Sequence, residues 1–289
     1  MKFAHIADTH IKNLRYHGEY NEVFNQLYEA IRSENVDYII HCGDIAHTKT
    51  QISPEFVDMC SDFLSSLADI APTYVILGNH DGNLKNPARM DALTPIVDAL
   101  GHPNLRLLKN SQEVYLRDGF ALNVLSVFDE DNWQDPSNYS NVNIALYHGA
   151  ISSCQTDSGW VMEKGEHDSS IFEEFDYAFL GDIHKPQAMD KAGKVRYAGS
   201  TVQQGFGETE DKGILIWDIK DQATFDVKRI VFTNPKPFVT VELEGGKLPQ
   251  AEVKKGARVR LVSNESISLE DMKKAVDVAQ HKFRPESIT

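Results

Sequence analysis

The chain has 289 residues, of which 41% are hydrophobic, and its formal net charge is −14 at pH 7. This length and apolar content are sufficient for one large α/β domain and a smaller second domain. The charge argues against a protein that coats nucleic acid through a basic surface, although bound metal ions or a local cationic patch could still attract phosphate.

The cysteines and the apolar runs indicate a cytoplasmic protein. Cys42, Cys60 and Cys154 show neither the spacing of a disulfide framework nor that of a zinc site, which favours a reducing compartment. No apolar run approaches the roughly 20 residues that a membrane-spanning helix needs. The N-terminus also lacks the charged-then-apolar layout of a secretory signal, so we expect no association with a membrane.

Short apolar runs that end in polar residues predict buried strands. They cover residues 2–8, 37–44, 73–81, 142–149 and 177–184. Between the first three, helical spacing predicts a helix from Tyr20 to Ile31 and a second one that begins near Pro54, after Ser53. This alternation favours parallel strands. Since the chain becomes strand-rich after about Gly101, we expect the α/β fold class, with two packed sheets and helices outside them.

The segment TNPKPF, residues 233–238, contains two prolines and predicts a linker. It separates a predicted domain of residues 1–234 from a second one of residues 239–289. The second domain has two predicted strands, Val239–Leu243 and Ala257–Ser263, followed by a helix with Ser268 as its N-cap. A unit of about 50 residues is small for independent stability, so we expect it to be a partial domain.

Polar side chains follow each of the five predicted strands. They are Asp8, Thr9 and His10 after the first, Asp44 after the second, Asn79, His80 and Asp81 after the third, His148 after the fourth, and Asp182 and His184 after the fifth. Ligands of open α/β sheets bind beyond the carboxyl ends of the strands, so these groups should converge. Most of these clusters alone are more typical of a turn or a core histidine, although GNHD is more specific, because packing gives no reason for four polar residues directly after TYVIL. Five of them in chain order favour a metal site.

The ligand types indicate which metals would bind. Imidazoles, carboxylates and one amide, without a thiolate, suit Mn²⁺, Fe²⁺ or Zn²⁺ better than a typical Mg²⁺ site. The candidate ligands are too many for one ion and fit two. His47 follows Asp44 closely and could reach the site, although a surface position is favoured. His5 and His41 lie inside apolar runs and are expected in the core.

The motifs DTH, GD, GNHD, HG and GDIH, in this order, resemble the calcineurin-like metallophosphoesterase superfamily. Within it, residues 197–219, YAGSTVQQGFGETEDKGILIWDI, resemble the nuclease subunit of the SbcCD-type DNA repair complex. Bacteriophage recombination nucleases belong to the same group. The motifs cover most of residues 1–232, and the chain after about Val239 loosely resembles the start of that family's DNA-capping domain.

The resemblance implies a role for each matching residue. One metal ion would be held by Asp8, His10 and His184. The other would be held by Asn79, His148 and the residue at position 182, and Asp44 would bridge both ions. His80 would not bind metal but would stabilise charge on the scissile phosphate or protonate the leaving oxygen. Asp81 would orient His80.

Position 182 departs from the family pattern, which usually has a histidine there. Asp182 either points away from the second ion or binds it, directly or through a water molecule. We favour binding, because a carboxylate at the same strand end can reach the ion. The added negative charge should favour harder ions such as Mn²⁺ over Zn²⁺.

The resemblance implies a DNA exo- or endonuclease that depends on two divalent ions, preferably Mn²⁺, with Mg²⁺ or Zn²⁺ as alternatives. The implied partners are DNA, an SbcC-like ATPase and a second copy of the chain. The helix around Ser53–Leu67 and the segment around Asn86–Leu100 are candidate dimer surfaces, and an ordinary outer face is an equally good interpretation of both. A phosphatase or small-molecule phosphodiesterase of the same fold is the alternative. A binding scaffold with a degraded metal site is a third hypothesis, which the full motif set disfavours.

Overall fold

The structure is a computed structural model that describes residues 1–49, 52–86 and 88–289. This part of the chain forms two compact units. The first contains Met1–Val202 and Lys212–Phe232, and the second contains Gln203–Asp211 and Thr233–Thr289. Position 87 falls inside one segment that the sequence proposes for dimerisation, and it lies outside the described residues.

The helices and strands are numbered in chain order. The α-helices are α1 (His17–Glu34), α2 (Pro54–Ile70), α3 (Thr94–Leu100) and α4 (Leu269–Phe283). The strands of the first unit are β1 (Lys2–Ile6), β2 (Tyr38–Cys42), β3 (Thr73–Ile76), β4 (Leu105–Leu108), β5 (Gln112–Tyr115), β6 (Phe120–Leu125), β7 (Val142–His148), β8 (Tyr177–Gly181), β9 (Gln187–Ala188), β10 (Val195–Tyr197), β11 (Gly213–Ile219) and β12 (Phe225–Val231). Those of the second unit are β13 (Phe238–Glu242), β14 (Arg258–Val262) and β15 (Ser287–Ile288). Within the described ranges, no helix combines the length and apolar character needed to cross a bilayer.

The first unit contains two six-stranded sheets. One has the order β12-β11-β1-β2-β3-β4, in which β1 to β4 are parallel and the β11–β12 pair is antiparallel. The other has the order β5-β6-β7-β8-β10-β9, with β6, β7 and β8 parallel. Parallel pairing explains the continuous apolar runs, because these strands are buried on both faces.

The two sheets pack face to face and place their functional ends together. Phe3, Ile40, Phe179 and Trp217 belong to one buried cluster between them. At the end of β2, the carbonyl oxygen of Cys42 closely approaches the Cα of Gly181 at the end of β8. The carboxyl ends of both sets of parallel strands therefore meet at one edge of the sandwich.

The outer faces of the two sheets are covered differently. Helices α1 and α2 bury apolar residues against the first sheet, and the rings of Phe24 and Phe63 stack with centroids 4.4 Å apart. Residues 149–176 cover the second sheet, where Ile151 and Phe172 pack into its core. The predicted two-sheet α/β sandwich is confirmed. The second sheet has a loop cover because residues 149–176 lack the helical spacing of apolar residues.

Local sequence signals explain where the helices begin. The Ser53 hydroxyl accepts the N–H of Phe56 at 3.2 Å, and Pro54 occupies the first turn of α2. The Ser268 hydroxyl accepts the N–H of Asp271 at 3.0 Å at the start of α4. Both caps satisfy N–H groups that a helix terminus leaves without partners.

The second unit is a parallel three-stranded sheet, β13-β14-β15, packed against α4. It also includes residues 203–211, which the sequence placed in the first domain. The reason is the side chain of Gln203, whose amide donates to the carbonyl of Phe238 at 3.0 Å and accepts its N–H at 2.9 Å. That this unit caps DNA stays a prediction.

Candidate metal centre

The residues that the sequence singled out lie together at the carboxyl edge of the sandwich. Three overlapping groups have ligand atoms within 4.8 Å of one another: Asp8, His10 and His184; His10, Asp44 and His80; and Asp8, Asp44 and His148. Asp182 and Asn79 join them, because Oδ1 of Asp182 lies 3.8 Å from Nε2 of His148 and 3.0 Å from the amide nitrogen of Asn79. All seven predicted ligands therefore belong to one cluster.

The turns that present these side chains have unusual backbone conformations. Asp8, His10, Asp44 and Asp182 have φ angles of +52°, +46°, +59° and +94°. Non-glycine residues with positive φ are uncommon, and each such position costs on the order of 1–3 kcal/mol. Backbone hydrogen bonds hold two of the turns together, from Asp8 to the Gly43 carbonyl at 3.1 Å and from His10 to the Asp44 carbonyl at 2.9 Å. This strain is of the kind that accumulates at functional sites.

Glycines next to the cluster allow the strand ends to approach closely. A Cβ at Gly43 would lie 2.5 Å from Nδ1 of His148, and one at Gly78 would lie 2.2 Å from Oδ1 of Asp44. A Cβ at Gly181 would lie 2.0 Å from the Cys42 carbonyl oxygen. The glycines of the GD, GNHD and GDIH motifs are therefore needed because no side chain fits between the strands.

His148 shows that the centre suits a cation. Its Nδ1 donates to the Cys42 carbonyl at 2.6 Å, so its proton lies on Nδ1 and Nε2 carries the lone pair. The buried Nε2 atom accepts no hydrogen bond from the described residues and lies 3.4 Å from Oδ1 of Asp44 and 3.8 Å from Oδ1 of Asp182. A lone pair facing carboxylates needs a proton or a metal ion between them. Burial alone would lower the pKa of His148, but the Asp44 carboxylate raises it well above its usual value.

Asp44 occupies the middle of the cluster. Its Oδ1 faces His148, and its Oδ2 lies 3.5 Å from Nε2 of His10. Burial alone would raise the pKa of Asp44, but His148 and His10 hold it below its ordinary range, so the carboxylate is ionised. Asp8 behaves differently, because burial raises its pKa to about 7. A central ionised carboxylate flanked by two histidines suits a bridging ligand.

His10 and His184 face each other on one side of Asp44. Their Nε2 atoms are 3.0 Å apart, so one ring presents a lone pair to the other. Burial lowers the pKa of His10 well below its ordinary value, which keeps this ring neutral. The Tyr20 hydroxyl holds the backbone of His10 by donating to its carbonyl at 2.5 Å. Neutral imidazoles close to carboxylates are typical metal ligands.

His80 belongs to one of the three groups and lies at the exposed edge of the cluster. Its Nδ1 donates to the carbonyl of His47 at 2.7 Å, which leaves Nε2 to exchange a proton. Its ring centroid is 4.8 Å from that of His10 and 6.2 Å from that of His47. The surface interpretation of His47 is therefore incomplete, because this exposed residue also orients His80. Its position three residues after Asp44 was the available signal.

Asp81 contacts different partners from those the resemblance implied. Its fully buried carboxylate accepts the N–H groups of Asp44, Ala46 and Gly78 at 2.7, 2.8 and 2.9 Å. The His47 carbonyl, rather than this carboxylate, accepts the hydrogen bond of the His80 ring. That Asp81 orients His80 stays a prediction, and these contacts would make the effect an indirect one through the backbone. Asp81 instead joins the turn after β2 to the turn after β3.

The carboxylate of Asp182 lies within the cluster and faces Asn79 and His148. Its backbone N–H donates to both carboxylate oxygens of Asp8, at 2.9 and 3.1 Å. Burial raises the pKa of Asp182, which is expected for a carboxylate among other acidic groups. Its position fits the interpretation in which it faces the second ion better than the one in which it points away.

A buried network beneath the cluster was not foreseen from the sequence. His41, expected in the core, is buried, and its Nε2 lies 2.8 Å from the hydroxyl of Thr9. The Thr201 hydroxyl donates to the carbonyl of Ala7 at 3.1 Å. These contacts support the turn between Asp8 and His10. They join residues far apart in the chain, so no local pattern could have shown them.

The chain is similar to several known proteins. A family model described as calcineurin-like phosphoesterase matches residues 1–186. The uncharacterized protein R555 of Acanthamoeba polyphaga mimivirus is 36% identical over 273 residues, which cover 89% of this chain and 20% of R555. The phosphoesterase-like protein 244L of Invertebrate iridescent virus 6 is 26% identical over 282 residues, which cover 92% of this chain and 94% of 244L.

A repair protein also matches. The DNA double-strand break repair protein Mre11 of Haloferax volcanii is 26% identical over 259 residues, which cover 84% of this chain and 55% of that protein. The chain thus spans about a fifth of R555 and about half of this Mre11. Since the family model covers well over half of the chain and includes every predicted ligand, the chain belongs to the calcineurin-like phosphoesterase family of metal-dependent phosphoesterases.

Proposed function

We propose that this chain is a DNA exo- and endonuclease that hydrolyses phosphodiester bonds with two divalent ions, as the nuclease subunit of an SbcCD-type repair or recombination complex. The observation that carries the proposal is the convergence of histidine, carboxylate and amide side chains into one cluster. The similarity to Haloferax Mre11 over 259 residues extends beyond residues 1–186 of the family model and supports a nucleic-acid substrate.

The cluster has ligands for two ions. Asp8, His10 and His184 would hold one, Asn79, His148 and Asp182 would hold the other, and Asp44 would contact both. The mixture of nitrogen and oxygen ligands supports Mn²⁺, with Mg²⁺ or Zn²⁺ as alternatives. When bound, such ions polarise the phosphate and supply an activated water molecule.

His80 would exchange a proton with the oxygen that leaves the phosphorus. The His47 carbonyl fixes the proton on Nδ1 of His80, so Nε2 is the atom that donates or accepts. A protonated Nε2 would donate to the leaving 3′ or 5′ oxygen, as a general acid does. Asp81 would act on the turns, because its three backbone hydrogen bonds join the turn that carries Asp44 to the turn that carries His80.

A cleft beside His47 supports an anionic substrate despite the negative net charge. The cleft has a volume of about 490 Å³, and its lining includes Lys12, Arg15, Tyr16 and His47. The guanidinium of Arg15 lies 4.6 Å from the Tyr16 ring centroid, which keeps a cation at this position. Local cations of this kind can attract phosphate when the whole molecule is acidic.

We also propose an SbcC-like ATPase as a partner, and a homodimer in which α2 and the segment around Met90 contribute contacts. Exposed apolar side chains in and near these parts support this surface, namely Ile52, Val57, Leu84 and Met90. In sedimentation experiments, Val57→Glu together with Met90→Glu should shift a dimer toward the monomer. A wild-type chain that is monomeric throughout would reject the homodimer.

The substrate is tested by comparing two reactions. Wild-type protein with Mn²⁺ should release nucleotides from an end-labelled duplex faster than it hydrolyses p-nitrophenyl phosphate, and chelation should abolish both reactions. The Asp44→Asn variant, purified in parallel, controls for contaminating nucleases. Efficient monoester hydrolysis without DNA cleavage would favour the phosphatase alternative, which the similarity to 244L over 94% of its length supports.

A further inference from the structure

Lys212 is a buried lysine that contacts the candidate metal centre indirectly. Its Nζ donates to Oδ2 of Asp157 at 2.5 Å and to the carbonyl of His184 at 3.1 Å. The side chains of Lys212 and Asp157 are only 2% and 4% exposed. Lysine is almost never fully buried unless it is paired, and desolvating two charges costs several kcal/mol per ion. A pair of this kind therefore needs a reason beyond general stability.

Lys212 is anchored in the first sheet, which contains β11. It directly precedes β11, and its carbonyl accepts the N–H of Phe232 at 2.8 Å. Its side chain extends from this sheet to the segment that follows β8 in the other sheet. The ammonium group therefore connects a rigid strand with the turn that carries His184.

The segment after β8 is held by contacts with other parts of the chain. The His184 carbonyl accepts the backbone N–H of Ser200 at 3.1 Å and the Lys212 ammonium. Further along, Gln187 exchanges two hydrogen bonds with the backbone of Gln155, at 2.7 and 2.9 Å, and Lys185 donates to the Gln155 side chain. Residues 155–157 and Lys212 thus hold residues 184–187 in place from outside the segment.

We propose that Lys212 and Asp157 are positioning residues for His184, and that together they set its Nε2 against that of His10. This inference rests on the proposed role of His184 as a ligand of one ion. Asp157 holds the ammonium, the ammonium holds the His184 carbonyl, and the carbonyl sets the backbone from which the ring projects. Contacts of this kind behind a metal ligand affect metal affinity by about 10–100-fold.

The other ion should be independent of this pair. His148 is oriented by the Cys42 carbonyl, and Asp182 by the Asn79 amide and the Asp8 carboxylate. The partners in these hydrogen bonds are Cys42, Asn79 and Asp8, rather than Lys212 or Asp157. Loss of the pair should therefore weaken one ion and leave the other unchanged, whereas a general loss of stability would weaken both.

The test is a calorimetric Mn²⁺ titration of the full chain. Wild type should show two binding events. Lys212→Met and Asp157→Asn should each weaken one event, by about 10–100-fold for the lysine variant. The double variant should match Lys212→Met, because both side chains act through one contact. Lys109→Met is the control, since Lys109 pairs with Asp91 at 2.8 Å in the same unit, away from His184.

Each outcome decides the inference. A folded Lys212→Met variant with two wild-type affinities would overturn it, and so would equal weakening of both events. If Lys212→Met does not fold, the double variant carries the test, because it leaves no buried charge without its partner. A wild-type chain that binds no Mn²⁺ would reject the metal assignment together with this inference. Two intact Mn²⁺ sites without DNA cleavage would reject only the nuclease.

Discussion

The two sides of the candidate metal centre are held by different means. On one side, the His148 ring is fixed directly, by a hydrogen bond to the Cys42 carbonyl and by the close approach of Gly43 and Gly181. On the other side, His10 and His184 are fixed through their backbone carbonyls, which accept hydrogen bonds from Tyr20 and Lys212. Asp44 lies between the two sides.

This difference indicates how each side can fail. A ring held by close packing is sensitive to any atom added beside it, because the interior has no room to adjust. A ring held through its backbone is sensitive to distant side chains that support that backbone. Substitutions can therefore be chosen that weaken metal binding on both sides, on neither side or on one side alone.

Asp44→Asn should have the largest effect, because this carboxylate serves both sides. Losing its charge should weaken both Mn²⁺ binding events and lower the cleavage rate by about 10³-fold or more, since metal activation contributes several kcal/mol. Calorimetry and the labelled-duplex assay measure the two losses.

The matched control is Asp91→Asn, since Asp91 is also buried but caps the turn at Thr94 outside the cluster. It should lose stability and retain both ions. Near-normal Mn²⁺-dependent cleavage by Asp44→Asn would contradict the bridging role and the two-ion arrangement with it.

His80→Ala should affect neither metal side and still remove most of the activity. The ring of His80 lies at the exposed edge of the cluster, and its Nδ1 is already bonded to His47. Loss of a general acid typically costs about 10²–10⁴-fold in rate. The Mn²⁺ titration should retain two events with wild-type affinities, and the disappearance of one event would show that His80 is a ligand.

Gly181→Ala should damage the His148 side alone. Its Cβ would lie 2.0 Å from the Cys42 carbonyl and 2.8 Å from Nδ1 of His148, so it would separate the two groups of one hydrogen bond. We expect a loss of about 1–3 kcal/mol in the free energy of unfolding. We also expect weaker binding of one Mn²⁺ ion, namely the ion whose affinity is unchanged in Lys212→Met.

Gly18→Ala is the control for that variant, because a Cβ at Gly18 in α1 meets no atom within 4 Å. It should be neutral or slightly stabilising in thermal unfolding, since alanine favours a helix more than glycine does. If Gly181→Ala and Lys212→Met weakened the same event, the two sides would not be held separately.

The sequence predicted the fold and the residues that form the cluster better than it predicted the contacts between those residues. The apolar runs and the polar residues at their ends placed Asp8, Asp44 and His148 at strand ends, because strand periodicity is a local property. The partners of Asp81 and the contact of Lys212 with His184 could not be predicted. They depend on how the turns of two sheets meet, which no spacing along the chain records.

Asp182→His should have the smallest effect on the cleavage rate. It tests directly whether Asp182 is a metal ligand on the His148 side. Asp8, Asp44 and Asp182 bring three negative charges to two divalent ions, and a histidine at 182 would leave two. A carboxylate favours harder ions, so its replacement should shift the preference from Mn²⁺ toward Zn²⁺ by about tenfold in a competition titration, with cleavage retained. Asp118→His is the matched control, because Asp118 is exposed and also has a positive φ, +57°. Both variants place a histidine at a position with positive φ, so a general cost of positive φ would appear in both. A metal preference that shifts only in Asp182→His would then come from the carboxylate facing Asn79 and His148, and an unchanged preference would mean that Asp182 is no ligand.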